Sequence, residues 1–188
     1  MRIEISEKGT RGYYDELAYI KLNFSKVLDN PGKPAKTMTG YVMTRVIGFL
    51  VVVAAAFYLY TTTKDIIYAV LSLAMVVAEI AIIISLVNGM KKARSLKEED
   101  GPYVIEIDEE GVRCIKEEGT NELKWDDILC IAINRYSIAV LPKEVPRYGI
   151  YANLSYKDQI ISAVREAGHF YMIEDNTPEG YPIGRGNK

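Results

Sequence analysis

Histidine occurs once in this chain of 188 residues, tryptophan once and cysteine twice. That scarcity excludes several chemistries. A structural zinc site draws on about four closely spaced ligands, and the sequence has no Cys-x-x-Cys and no pair of histidines. Nucleophilic catalysis by a Cys–His pair would have to use Cys114, Cys130 and His169. Both cysteines lie in strand-like runs, where a thiol packs as a small hydrophobe. No metal ligands, no cofactor site and no catalytic residues are therefore expected, and the chain does not read as an enzyme. Positive charge is not in excess either. Lys and Arg total 23 against 25 for Asp and Glu, which argues against a nucleic-acid partner. A cleavable secretory signal is not expected, because the apolar runs begin only at Tyr41 and no small-residue cleavage site follows a short apolar core.

What the chain does have is oil in two places. Its mean hydropathy is zero, but that averages two apolar runs, residues 41–60 and 66–87, with a charged remainder. At about 1.5 Å per residue each run spans roughly 30 Å, the thickness of a bilayer's hydrocarbon core. Tyr41, Tyr58, Tyr60 and Tyr68 stand near the ends, at headgroup level. The short connection at residues 61–65 forces the helices antiparallel, and Asp65 is placed to cap the second. Lys33 and Lys36 precede the hairpin; Lys91, Lys92, Arg94 and Lys97 follow it. The positive-inside bias thus predicts a multi-pass inner-membrane protein with both termini cytoplasmic, where Cys114 and Cys130 stay reduced.

Glu79 interrupts the second run. A carboxylate at mid-membrane costs about 2.5–3.5 kcal/mol on insertion scales, so it needs a partner or a water path. The first run offers Arg45. Counted from Thr63 as the middle of the loop, the two differ in depth by about 3 Å. Arg45, Gly48, Val52, Ala55 and Leu59 recur on one side of the first helix; Ser72, Val76, Glu79 and Ile83 do so on the second. These stripes predict a facing pair, Arg45 with Glu79, in a structural role. A contact between subunits and a protonatable transport site are the alternatives, the latter requiring an oligomer.

The remainder divides into residues 1–40, 101–173 and a Gly- and Pro-rich tail, 174–188, read as flexible. In the first, Ile3 and Ile5 alternate like a strand. Tyr13, Leu17, Ile20 and Phe24 then recur at helical spacing, on a face suited to the membrane surface or to the C-terminal domain. Pro31, Gly32 and Pro34 break the following segment into a linker. From Tyr103 the period changes to two. Tyr103, Ile105 and Ile107 share a face, Gly111 is placed for a positive-φ turn, and residues 128–134, apolar on both faces, predict a central strand. Pro142 ends the next strand. A helix is predicted over residues 156–167, with Ser155 as its N-cap, Ile160, Ile161 and Val164 as its apolar stripe and Gly168 as its stop. A last short strand is predicted in residues 169–174.

Further candidates are weaker. Asp126 and Asp127 are neighbours, which on a strand point to opposite faces and do not suit acid–base work at one site; they read as a turn. Trp125 reads as a core anchor. Lys124, Arg135, Lys143 and Arg147 would form a basic patch for anionic headgroups, but residues 101–188 hold ten Lys or Arg and fifteen Asp or Glu. An acidic domain is repelled by an anionic leaflet.

Trp125-Asp126-Asp127-Ile128 after a hairpin, the apolar strand ending Leu141-Pro142-Lys143, and the C-terminal helix together resemble the YcxB-like family of bacterial membrane proteins over residues 1–173. The resemblance implies a small PH-like antiparallel sheet closed by a helix, with no known activity. The stretch between Lys143 and the helix is longer than in that pattern. The expected architecture is thus a membrane α-hairpin, residues 41–88, plus a small α+β cytoplasmic domain. The expected function is non-enzymatic: an interaction or regulatory module held at the bilayer, with a protein partner or a homo-oligomer. The alternative is a subunit of an oligomeric transporter or ion conduit using Glu79.

Overall fold

The computed structural model describes residues 1–98, 101–144 and 149–177. The chain begins with strand β1 (Arg2–Ile5) and helix α1 (Arg11–Leu22), the latter capped by Thr10, whose hydroxyl accepts from the Tyr13 amide. A single-turn α2 (Phe24–Leu28) follows. Then come two long helices, α3 (Met38–Thr63) and α4 (Ile66–Glu98). Both are long and apolar enough to cross a membrane, over Met38–Thr63 and Ile66–Gly89. They pack on each other and leave large apolar side chains exposed around the rest of their circumference, Val51, Phe57, Ile66 and Leu73 among them.

The turn between them is shorter than residues 61–65. The α3 helix runs through Thr63, so only Lys64 and Asp65 connect, with Lys64 in the left-handed region at φ 58°. As expected, the Asp65 carboxylate accepts from the Ile67 amide at 2.9 Å, filling one orphan donor of α4.

The remaining elements are β2 (Tyr103–Ile107), β3 (Gly111–Lys116), β4 (Gly119–Lys124), β5 (Ile128–Ile133), β6 (Ser137–Pro142), β7 (Ile150–Asn153), α5 (Lys157–Glu166) and β8 (Ile173–Asp175). They form two four-stranded sheets, in the orders β1-β2-β3-β4 and β7-β6-β5-β8. All pairings are antiparallel except β5 with β8. The inner faces share one core, in which Ile3, Ile105, Val112 and Leu123 meet Ile131, Ile138, Val140 and Ile150, with Ile160, Ala163 and Val164 of α5 joining them. The second sheet is apolar on both faces, as the run at 128–134 predicts. Its outer face, Cys130, Ala132, Ala139 and Leu141, lies under Ile20 and the side chains of α2.

Several local expectations are corrected. Residues 1–5 are an edge of the first sheet, in register Ile3 with Ile105, so the N-terminal segment belongs to the domain core. Gly111 is not at positive φ; it is glycine because a Cβ there would come within 2.2 Å of the Leu123 carbonyl oxygen on the neighbouring strand. Ser155 does not cap α5, whose N-cap position is Tyr156 without a side-chain hydrogen bond; Asn153 caps the 3-10 turn Leu154–Tyr156 that leads into it, its Oδ1 accepting from the Ser155 amide. Gly168 does stop the helix, at φ 83°. The long stretch after Lys143 contains β7, which the sequence reading left without structure; its residues 145–148 lie outside the described residues, as does the tail from 178.

Candidate functional site at the hairpin–sandwich junction

The α1 helix has two apolar sides. Towards the second sheet it presents Tyr13, Leu17 and Ile20, which meet Tyr136, Tyr151, Cys130 and Leu141. Towards the long helices it presents Ala18 and Tyr19, which meet Met38, Val42 and Leu86. Tyr19 and Tyr41 stack edge to face with centroids 5.5 Å apart. Leu22 and Met38 close over Gly89 of α4, where a Cβ would sit 2.9 Å from Leu22 Cδ1. Polar ties follow the same line. The Asp15 carboxylate accepts from the Thr39 amide at the start of α3, at 3.1 Å. Asn134 Oδ1 accepts from the Ala35 amide at 3.1 Å, and Asn176 Nδ2 donates to the Pro31 carbonyl at 2.8 Å. The segment read as a linker is therefore pinned at both edges, and α1 is a strut between hairpin and sandwich.

Within this strut Glu16 is fully buried. Its Oε2 accepts both the Tyr136 amide, at 3.1 Å, and the Ser137 hydroxyl, at 2.6 Å, in the β5–β6 turn. Its Oε1 has no hydrogen-bond partner among the described residues. Burial pushes the carboxyl up to about 7, against the lowering effect of hydrogen bonds from Ser137, Tyr136 and Arg135. Sequence reasoning missed this residue. The available signal was a charge inside the apolar stripe, three residues after Tyr13 and four before Ile20.

The structure does not bring Arg45 and Glu79 together. Arg45 is exposed, and its Nη2 donates back along α3 to the Tyr41 hydroxyl at 3.3 Å, with the guanidinium 5.5 Å from the Tyr41 ring centroid. Two geometric reasons apply. Arg45 lies 18 residues before the end of α3 and Glu79 only 13 after the start of α4, a difference of five rises or roughly 7.5 Å in depth. Side chains also point towards their own helix N-terminus, so in antiparallel helices the two diverge. The covered face of α3 is also rotated from the expected stripe: Val42, Val46, Phe49, Val53 and Ala56 are half-buried, whereas Gly48, Val52, Ala55 and Leu59 are exposed. On α4 the expected stripe holds, with Ser72, Val76, Glu79 and Ile83 all half-buried. A double-mutant cycle of Arg45→Gln and Glu79→Gln, read by thermal stability in detergent, is expected to be additive to within about 0.5 kcal/mol. Coupling of several kcal/mol would restore the pair.

The other candidates do not converge. Trp125 is buried, donates from Nε1 to the Asp108 carbonyl at 2.9 Å and stacks on His169 at 4.1 Å. Cys114 and Cys130 are free and buried in different clusters, and burial, then Glu174, pushes the Cys130 thiol up to about 11. Asp126 and Asp127 sit in a single 3-10 turn. Arg135 and Lys143 stand at opposite ends of β6, roughly 20 Å apart at strand rise, and Arg147 lies outside the described residues. Among the described residues no group of three or more His, Cys, Asp or Glu could hold a metal ion. Comparison with family models, with curated proteins and with solved structures gives no match.

Proposed function

We propose that the chain is a non-enzymatic inner-membrane protein that holds a small cytoplasmic interaction or regulatory module rigidly against the bilayer. One observation carries this reading. The two apolar helices are inserted between β1 and β2, neighbouring strands of one sheet, and α1 packs on both the hairpin and the sandwich. A module tethered only for localisation needs no such strut. Two antiparallel-rich sheets closed by α5 support a PH-like domain, and the order strand, hairpin, sandwich supports the YcxB-like resemblance. The exposed apolar circumference of α3 and α4 supports insertion, since monomeric soluble proteins rarely expose continuous apolar patches of more than a few hundred Å². Both termini are then cytoplasmic by the positive-inside bias, with the bilayer and a protein partner or second copy as the surroundings.

In sealed cells, a cysteine introduced at Thr62 of a Cys-free variant is expected to react with an impermeant maleimide, and one at Ser95 is not. Reversed labelling would overturn the orientation, and equal labelling at both would remove the membrane.

The second reading, a subunit of an oligomeric conduit, is favoured by Glu79. It is half-buried on α4 with no ion pair among the described residues, and an unpaired intramembrane carboxyl fits a water path. Two helices cannot enclose one, so a monomeric or dimeric particle mass in detergent excludes it.

A further inference from the structure

The strut that joins hairpin to sandwich contains a carboxyl group whose two oxygens are unequal. Oε2 accepts the Tyr136 amide and the Ser137 hydroxyl of the β5–β6 turn, and Oε1 has no hydrogen-bond partner among the described residues. A neutral acid, with Oε2 as its carbonyl, leaves only an unpaired hydroxyl at Oε1, which costs less to bury than charge does. An ionised group would leave half of its charge facing no donor in a water-excluded site.

We propose that Glu16 is a proton-operated latch: with its proton it holds α1 on the β5–β6 turn, and on releasing that proton to bulk water it loosens α1, and with it the grip of the sandwich on the hairpin.

The position makes the group consequential. Gly12, one turn before Glu16, lies so close to the Tyr136 ring that a Cβ would come within 2.7 Å of it. The turn that donates to Glu16 thus also forms the seat for the start of α1, so any outward shift of Glu16 unseats both. Among the described residues no charged side chain contacts the Glu16 carboxyl, and Lys21 of the same helix lies 5.8 Å over the Tyr151 ring. On α1, Asp15 is turned to the Thr39 amide, and Arg11 is exposed at the helix start. In the turn, the Arg135 guanidinium lies 5.2 Å over the Tyr136 ring. On β7, Tyr151 is a phenol that burial pushes further above its ordinary range. Tyr13, Tyr14 and Tyr136, which share this apolar contact, are phenols too. The single histidine, His169, is stacked on Trp125 and is on neither α1 nor the turn.

The sign follows from linkage. The docked carboxyl titrates near 7 and the released one at its ordinary 4.5, so docking is strongest at low pH and weakens as pH rises towards 7, levelling off above it. Hydrogen exchange of the α1 amides in the full-length protein in detergent reads this directly. After correction for the intrinsic rate, opening is expected to rise roughly twentyfold from pH 5.5 to 8, while the β2 and β3 amides show no such excess. In Glu16→Gln, which keeps an acceptor and cannot ionise, the α1 excess is expected to vanish. A flat wild-type profile, or an unchanged excess in Glu16→Gln, overturns the latch. A measurement on the wild type alone covers a variant that fails to fold. The carboxyl-carbon NMR titration of Glu16 is expected to centre near 7, and a midpoint at the ordinary carboxylate value overturns the proposal.

Discussion

Residues 101–177 expressed without their N-terminal segment are expected to aggregate or to lack dispersed amide signals, whereas residues 1–36 joined to 101–177 by a flexible linker of about 20 Gly and Ser residues give a soluble, cooperatively unfolding domain. The reason is that the truncated piece lacks one strand of its first sheet and the cover of its second. Without β1, the backbone of β2 loses its partner along Arg2–Ile5 and the core loses Ile3 and Ile5, both almost wholly buried. Each buried isoleucine contributes about 1.5–3 kcal/mol through its apolar surface. Tyr156 loses its two donors as well, the amides of Ser6 and Glu7, each at 3.2 Å. Without α1 and α2, Cys130, Ala132, Ala139 and Leu141 face water. A domain of this size has a net stability of only about 5–15 kcal/mol, so losing both elements removes most of it. The measurement is an amide correlation spectrum together with urea unfolding. A 101–177 fragment that unfolds cooperatively on its own would show that β1 and α1 only decorate the domain.

The second large effect is expected from Ile20→Ala. Ile20 is fully buried between α1 and the outer face of the second sheet. Truncating it removes three carbons from a packed site and costs about 2–5 kcal/mol, with the exact figure set by how far α1 can collapse into the gap. Lys26→Ala on α2 is the control, because Lys26 is exposed and surface changes of this kind fall within about 0.5 kcal/mol. Differential scanning in detergent checks both. If the sandwich transition shifts while the long helices keep their signal, α1 belongs energetically to the sandwich. If Ile20→Ala matches the control, α1 is not the strut described here.

Much of this fold was legible because its signals are local. Hydropathy and length marked out both long helices, period-two alternation marked β2, a run apolar on both faces marked β5, and Pro142 marked the end of β6. The stripe of Tyr13, Leu17 and Ile20 marked α1, although it left open whether membrane or domain would cover it; the structure places the domain on one side and the hairpin on the other. Short elements without a periodic signature, such as β7 within the long stretch after Lys143, were not legible. Gly111 was correctly singled out for the wrong reason, since a close approach of Leu123 and a positive φ both demand glycine and sequence does not separate them.

The candidate site shows where local information ends. Sequence by itself determined that two apolar helices stand antiparallel, that both carry an ionisable residue in their apolar runs, that β2 alternates while β5 is apolar on both faces, and that α1 is amphipathic. Tertiary structure alone decided which groups meet. Arg45 and Glu79 were matched by counting through a five-residue loop. The two-residue turn at Lys64 and Asp65 adds three rises, about 4.5 Å, and leaves the two more than a helical turn apart in depth, while the rotation of α3 directs Arg45 back to Tyr41. Glu16 is the opposite case. It looks like one of many surface carboxylates until the β5–β6 turn, more than a hundred residues away, closes over it. Helical periodicity fixes an angle within one element, but helix rotation, turn length and the burial that shifts a carboxyl group arise only when distant elements pack together.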